Sequence, residues 1–406
     1  MRIVILLSLL LILLAACTEQ VVNTDESSLS EVQLNKKPVK PPQPDPDPLP
    51  ALLHTKKYIA GSIQDGIVYI WGWDDNDNLT RMWSRSIEGG RIAGVAIANF
   101  DGGNKELYVE RSITVGKGKK NRIKSHELLI FEEGDTEPSE TIVLVTPADA
   151  WNAVWDMKID DVDGDSKKEM VLLRRDQIEI WEYGQSGFDK VAFYDYFSTS
   201  EIPWEASVGN LYNDSEIDIT VALSPNLWRS YKYDGSSITF GIESFSYTEE
   251  FGSLSCAKMV DINNDGTVEV IGGSSCGKLV LWKDLYETSL DFIISPSLGL
   301  PEYLSPWGVD VAEIDDDPAN GTEIVCGASH SGGLHLFHYD AVNGALIHEA
   351  EVVPGLSVSS NGVIISEDDQ IIIVAKDNGL EIFDYDFDSL DSDNDTGAFL
   401  ENLIYQ

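Results

Sequence analysis

The sequence predicts an all-β fold, a seven-bladed β-propeller that follows a disordered N-terminal tether. Three observations predict it. An aromatic residue ending an alternating apolar strand recurs seven times, a compact acidic loop precedes several of these aromatics, and Gly- or Asp-containing turns punctuate the strands between them. The aromatics are Trp71, Phe131, Trp181, Tyr231, Trp282, Phe337 and Phe383, most of them near 50 residues apart. That period holds four short strands and their turns, which is one blade. Alternation of period two marks strands rather than helices. At a shared register such large side chains fill the space between blades. Six or eight blades are the alternatives, because the first repeat shows no inner strand of its own; residues 51–54 or the C-terminal tail can supply it.

The chain opens with Met1 and Arg2, an apolar run over residues 3–14, and then Leu14-Ala15-Ala16-Cys17. A basic start, a short apolar core and small residues before a cleavage point make a secretory signal. The run is shorter than the roughly 17–25 residues a membrane-crossing helix needs. The Leu-Ala-Ala-Cys segment resembles the lipobox of bacterial lipoproteins. The resemblance implies removal of residues 1–16 and a lipid on Cys17, with the added acyl chains anchoring a mature protein to the membrane. Thr18, where an aspartate would retain an inner-membrane lipoprotein, implies the outer membrane if the cell is Gram-negative.

Residues 17–50 read as a lipidated, Pro-rich linker. They lack hydrophobic periodicity, and seven prolines fall between Pro38 and Pro50. A stiff spacer of that kind reaches about 40 Å at ~3.1 Å per residue. Residues 51–406 are then the propeller.

Charge excludes some partners. With 69 acidic against 28 basic residues the formal net charge is -41. Nucleic acid and anionic lipid surfaces need a basic face, whereas a field of this sign draws cations. The one dense basic stretch lies in residues 111–124, with Arg111, Lys117, Lys119, Lys120, Arg122 and Lys124; it is either a solvated hairpin or a contact for an anionic partner.

The acidic loops show where a cation would go. Asp161, Asp163, Asp165 and Glu169 occupy positions 1, 3, 5 and 9 of one loop, and Asp261, Asn263, Asp265 and Glu269 occupy those of another. A turning backbone aims such alternate side chains at one centre. Hard oxygen donors in a flexible loop suit Ca²⁺, which takes 6–8 of them. In this the chain resembles the FG-GAP and VCBS-type repeats of integrin-α-like propellers. The resemblance implies a calcium loop between the first two strands of a blade. A sixth-blade set, Glu313, Asp315, Asp317 and Glu323, fits with two extra residues. Weaker versions use Asn99, Asp101 and Glu106 in the second blade and Asn210, Asp214 and Asp218 in the fourth, where Tyr212 takes a ligand position. Residues 391–397 form a further acidic run with displaced glycine spacing.

Other candidates are fewer. Cys256 and Cys276 flank the fifth loop and return to the same end of a hairpin, so an exported domain can bridge them; Cys326 reads as a buried thiol. Trp155, Trp204 and Trp307 each stand six residues before position 1 of their loop, which places them on one level of a propeller, as a ring for stacking on sugars or as packing between blades. His335 and His338, three apart on a strand, face opposite sides and make no metal pair. No nucleophile elbow, Ser–His pairing or phosphate loop is visible. The functional expectation is a membrane-anchored, calcium-stabilised scaffold binding a protein or a glycan. The alternative is a carbohydrate-active enzyme, since polysaccharide lyases occur on similar calcium-loop propellers, and the sequence alone leaves the question of enzymatic activity open.

Overall fold

The computed structural model describes residues 47–406 apart from connecting stretches, the longest being 116–121, 146–153, 196–201, 246–253, 286–290, 299–305 and 315–321. Residues 1–46, and with them Cys17, the signal peptide and most of the linker, lie outside the described residues. The described chain forms seven four-stranded antiparallel sheets, one compact unit over Pro46–Gln406. This is the seven-bladed propeller that the aromatic repeat predicts.

The C-terminal tail completes the first blade. Leu400–Tyr405 pairs with Ile59–Ile63, and Ile67–Trp73 and Leu79–Ser86 follow outward. The other six blades run in chain order from an inner to an outer strand, their inner strands being Gly90–Ala98, Val154–Asp160, Ile202–Gly209, Lys258–Val260, Pro306–Ala312 and Val358–Ser366. Consecutive inner strands are neighbours, and Leu400–Tyr405 lies against both Val358–Ser366 and Gly90–Ala98, so the ring is closed.

Burial follows position in the blade. The second strands are sandwiched between neighbouring blades and read as continuous apolar runs: Glu169–Arg174, Glu269–Ser274 and Glu323–Ala328 are buried at every residue. The outer strand Gly187–Asp195 alternates instead, leaving Val191 and Phe193 exposed. All seven repeat aromatics are buried, as filler between blades should be. Neighbouring blades approach closely where a side chain is missing. A Cβ on Gly94 would meet Met157 of the next blade at 2.6 Å, and one on Gly327 would meet Val358 at 2.5 Å.

Two acidic features serve the seam. Trp71 Nε1 donates to Asp393 Oδ2 at 2.7 Å, Arg81 pairs with the same carboxylate at 2.6 Å, and Leu79 N donates to Asp391 Oδ2 at 2.8 Å. The acidic run at residues 391–397 thus holds the last blade to the first. The end of the proline run also packs on the ring: Leu49 and Leu52 are buried, and Leu49 exchanges backbone hydrogen bonds with Gly134 and Asp135.

Candidate functional site

The acidic loops follow the ends of the inner strands, and one backbone device shapes them. In four blades the carboxylate at the start of the second strand reaches back to a loop N–H. Val162 N donates to Glu169 at 2.9 Å, Leu211 N to Asp218 at 2.8 Å, Ile262 N to Glu269 at 3.1 Å and Ile314 N to Glu323 at 2.9 Å. The aspartate at position 1 caps the turn: Asp161 accepts from Gly164 and Ser166, and Asp261 accepts from Asp265 and Gly266. Two left-handed residues make this possible, Gly164 and Ser166 (φ 77° and 71°) in the third blade and Asn264 and Gly266 (φ 56° and 86°) in the fifth.

The third loop gathers charge. One carboxylate oxygen from each of Asp161, Asp163 and Glu169 lies within 4.8 Å of the other two, a group that stands alone among the described residues. Burial pushes Glu169 up to about 7, and the neighbouring Asp163, Asp165 and Asp161 add to the rise, against the Val162 hydrogen bond. Asp165 stands outside the group, because its carboxylate is taken by Lys167 at 2.6 Å.

The fourth loop carries its own cation. Lys232 bonds Asp214 at 2.6 Å and Glu216 at 3.0 Å, and its ammonium lies 4.5 Å from the centre of the Tyr212 ring. Lys232 stands across the strand pair from Asp218. The equivalent place in the third blade follows Trp181, which pairs with Met170, and is Glu182. In the fifth it follows Trp282, which pairs with Val270, and is Lys283; in the sixth it is His338, opposite Glu323. The residue opposite the closing carboxylate therefore separates loops of nearly equal motif quality. It lies outside the motif, so the motif did not show it. Of the sixth-blade set, Asp315 and Asp317 lie outside the described residues.

The other end of the inner strands forms the channel mouth. Trp155 and Trp204 meet there with ring centroids 5.4 Å apart and planes at 74°. The guanidinium of Arg91 lies 5.8 Å from the centre of the Trp155 ring. Each tryptophan is the extra residue of a β-bulge. Val154 and Asp156 pair with consecutive partners, as do Pro203 and Glu205, and the same irregularity leaves Trp307 and Ala93 unpaired in their strands. Bulges re-aim a side chain and concentrate near functional sites. Trp204 is 37% exposed, so it faces solvent rather than packing between blades. The side chain of Trp307 lies outside the described residues.

Inside the channel the inner strands bring together charged residues that the sequence scatters over 150 positions. Asp156 Oδ2 accepts from Ala206 N at 2.9 Å, and Asp310 Oδ2 from Ile365 N at 2.8 Å, tying consecutive inner strands. Glu205 is 1% exposed. Lys158 and Lys258 approach one of its oxygens at 3.8 and 3.7 Å. Burial pushes the Glu205 carboxyl up, against the two ammoniums. For Lys258 burial acts downward, but Asp310 and Glu205 outweigh it and hold the ammonium charged. No sequence motif marks these residues; only ring closure assembles them.

The remaining candidates separate. Cys256 and Cys326 are both buried, and Cys256 Sγ accepts from Gly273 N at 3.2 Å. Cys276 lies outside the described residues, as do Lys117, Lys119 and Lys120. Burial pushes the Cys326 thiol well up. Arg111 is engaged by Glu127 at 2.7 Å. His335 faces His348 and Gly332 O, while His338 faces Glu349.

Geometry thus defines a class, a seven-bladed propeller with an aromatic mouth and a charged channel, and known proteins agree on the fold. No known family profile matches the chain, and no curated protein does. Among solved structures, a protein from Lactobacillus plantarum superimposes with a TM-score of 0.58 at 10% identity, covering 86% of this chain and 99% of its own. A candidate 6-phosphogluconolactonase from Bacteroides uniformis does so with a TM-score of 0.56, again at 10% identity over 86% and 99%. At that identity the likeness shows the fold alone.

Proposed function

We propose that the protein is a lipid-anchored, extracytoplasmic binding module that takes a glycan or protein ligand at the mouth of its channel. The observation that carries this reading is the Trp155–Trp204 corner with Arg91 beside it. Large rigid aromatics supply apolar area at low entropic cost, and the apolar C–H face of a sugar ring stacks on such a surface. The indole N–H of Trp155 is buried and has no hydrogen-bond partner among the described residues, which suits it to a ligand hydroxyl. The Cys17 lipid, the outer membrane as its seat and the Cys256–Cys276 bridge belong to the same reading and rest on the sequence.

Calcium enters through the third loop. Asp161, Asp163 and Glu169 offer an all-oxygen donor set already drawn together, which fits Ca²⁺. These residues would hold the ion, which would neutralise three carboxylates and stiffen the turn. The fifth loop has the fuller motif in Asp261, Asn263, Asp265 and Glu269, but Lys283 stands opposite Glu269.

A glycan array with the Trp155→Ala and Trp204→Ala variants tests the proposal. Retention on the array that both variants abolish is expected; array binding unchanged by either would overturn it. The enzymatic alternative has one observation behind it, the buried Glu205 beside two lysines. Depolymerisation of a polysaccharide, lost in Glu205→Gln, would favour that alternative. Labelled palmitate incorporation, lost in Cys17→Ser, tests the anchor.

A further inference from the structure

Four of the chain's six histidines fall between residues 330 and 348, and short histidine-rich tracts are a mark of metal binding. His335 and His338 point to opposite faces of one strand, so they do not account for the clustering. The sixth blade pairs His335 with a histidine of the next strand instead. Gly333–Asp340 and Ala345–Val353 are its third and fourth strands, and His335 Nδ1 lies 3.2 Å from His348 Nε2 across them.

The pair is built as a chelating site is. His335 is 2% exposed, and its Nε2 lies 2.7 Å from Gly332 O. That carbonyl is fixed in a tight turn, in which Gly332 N donates to Ser329 O at 3.0 Å. A carbonyl only accepts, so Nε2 carries the proton and, in the neutral ring, Nδ1 presents its lone pair to His348. A carbonyl behind a ligating imidazole is the usual outer partner in metal sites, where it fixes the tautomer and the ring orientation. Burial lowers the pKa of His335, against the Gly332 bond, which favours the neutral ring a metal needs. His348 is half-buried, and its ring packs on Phe337 with centroids 4.8 Å apart. A tetrahedral ion with Zn–N distances of ~2.0–2.1 Å spans two nitrogens roughly 3.3–3.4 Å apart, and the two rings already stand near that spacing. Glu351 is exposed and is the register partner of His335. A Cβ on Gly333 would stand 2.6 Å from Glu351 Oε1, and Gly333 shares a strand face with His335, so the carboxylate lies on the side of the imidazole pair.

We infer that His335 and His348, with Glu351 turned in as a third ligand, form a zinc site on the outer part of the sixth blade. The ion takes the place of the hydrogen that His348 Nε2 donates to His335 Nδ1. That proton moves to His348 Nδ1, so both imidazoles stay neutral. Two nitrogens and a carboxylate oxygen, with water in the fourth position, suit Zn²⁺, whereas Ca²⁺ takes 6–8 oxygens. The inference does not depend on the reading of the channel mouth.

Calorimetric titration of the untagged full-length chain in detergent with Zn²⁺, in excess Ca²⁺ to keep the acidic loops from competing, tests it. One saturable zinc site per chain is expected. His335→Gln and His348→Gln should each weaken it more than the roughly 10- to 100-fold that loss of an outer partner costs. Glu351→Gln should weaken it by about 10-fold, and His338→Gln should leave it unchanged. His335 is buried, so His348→Gln on the half-buried ring carries the test if His335→Gln does not fold. Co²⁺ in place of zinc should give the visible bands of a four-coordinate ion, lost in His348→Gln. Absence of saturable uptake, or uptake that persists in His348→Gln, overturns the inference. Uptake lost in Asp163→Asn but kept in His348→Gln places the ion in the third loop and overturns it as well.

Discussion

The third and fourth blades carry the same loop with opposite solutions to the same problem. Both fold a strand end into a turn by hydrogen-bonding a buried carboxylate, Glu169 or Asp218, to a backbone N–H. Both therefore concentrate negative charge. The fourth blade answers with Lys232, which bonds Asp214 and Glu216 and faces Asp218 across the strands. The third has Glu182 at that place and leaves Asp161, Asp163 and Glu169 converging. The contrast teaches that the balance of charge in the turn is decided by a residue on the next strand and not only by the carboxylates in the turn itself.

The largest effect expected from this contrast is the response to calcium. A ligand held only by the folded state adds about 2.7 kcal/mol when present at 100 times its dissociation constant. Calcium should raise the melting temperature and EDTA should reverse it. Asp163→Asn should remove the response, whereas Lys232→Met should leave it intact. A response unaffected by Asp163→Asn would erase the distinction between the loops.

Next in size is a pH effect in the fourth loop. Burial pushes Asp218 up to about 6 from its ordinary 3.8, with Asp214 adding to the rise, against the Leu211 hydrogen bond and the Lys232 charge. The folded state then holds this proton more tightly than the unfolded state. The stabilisation is full below pH 3.8 and is lost as pH rises through 6. Stability should fall by on the order of 2 kcal/mol across that window from this group, and Asp218→Asn should flatten the slope. Denaturant melts at several pH values in EDTA would check it; an unchanged slope in the variant would show that Asp218 is not the source.

A smaller effect should follow Lys232→Met. The lysine is partly exposed and its ion pairs are with exposed partners, so a loss of about 1 kcal/mol is expected in urea melts. The smallest is a gain. Ser166 holds a left-handed φ of 71° where the fifth loop has Gly266. Relief of about 1–2 kcal/mol of strain, less the added freedom of the unfolded chain, leaves Ser166→Gly stabilising by about 0.5 kcal/mol. A destabilised variant would mean that the serine hydroxyl contributes to the loop.

Much of this was legible in the sequence because it repeats. Seven aromatics at one register gave the blade count, and the C-terminal tail named as one source of the missing strand is the strand that closes the ring. Trp155 and Trp204 were found because they recur at a fixed distance from their loops, and the ring brings them together. Features made by unique pairs were not legible. Lys232 lies 18 residues beyond Asp214 and belongs to no motif. Asp391 and Asp393 looked like a poor calcium run, but their partners Leu79, Trp71 and Arg81 lie at the far end of the chain. Lys158, Glu205 and Lys258 come from three blades, and nothing in local composition links them.

Closure of the first blade by Leu400–Tyr405 has a consequence for how the protein is made. The inner strand of that blade, Leu400–Tyr405, is translated long after its partner Ile59–Ile63 and after the other six blades. Until Leu400–Tyr405 arrives, the early strand presents an open apolar edge, and the ring has no way to lock. An unpaired edge of that kind is a site of aggregation and proteolysis. Removal of Leu400–Tyr405 should therefore leave an unclosed ring that aggregates or is degraded, so this one strand works as the clasp of the whole propeller.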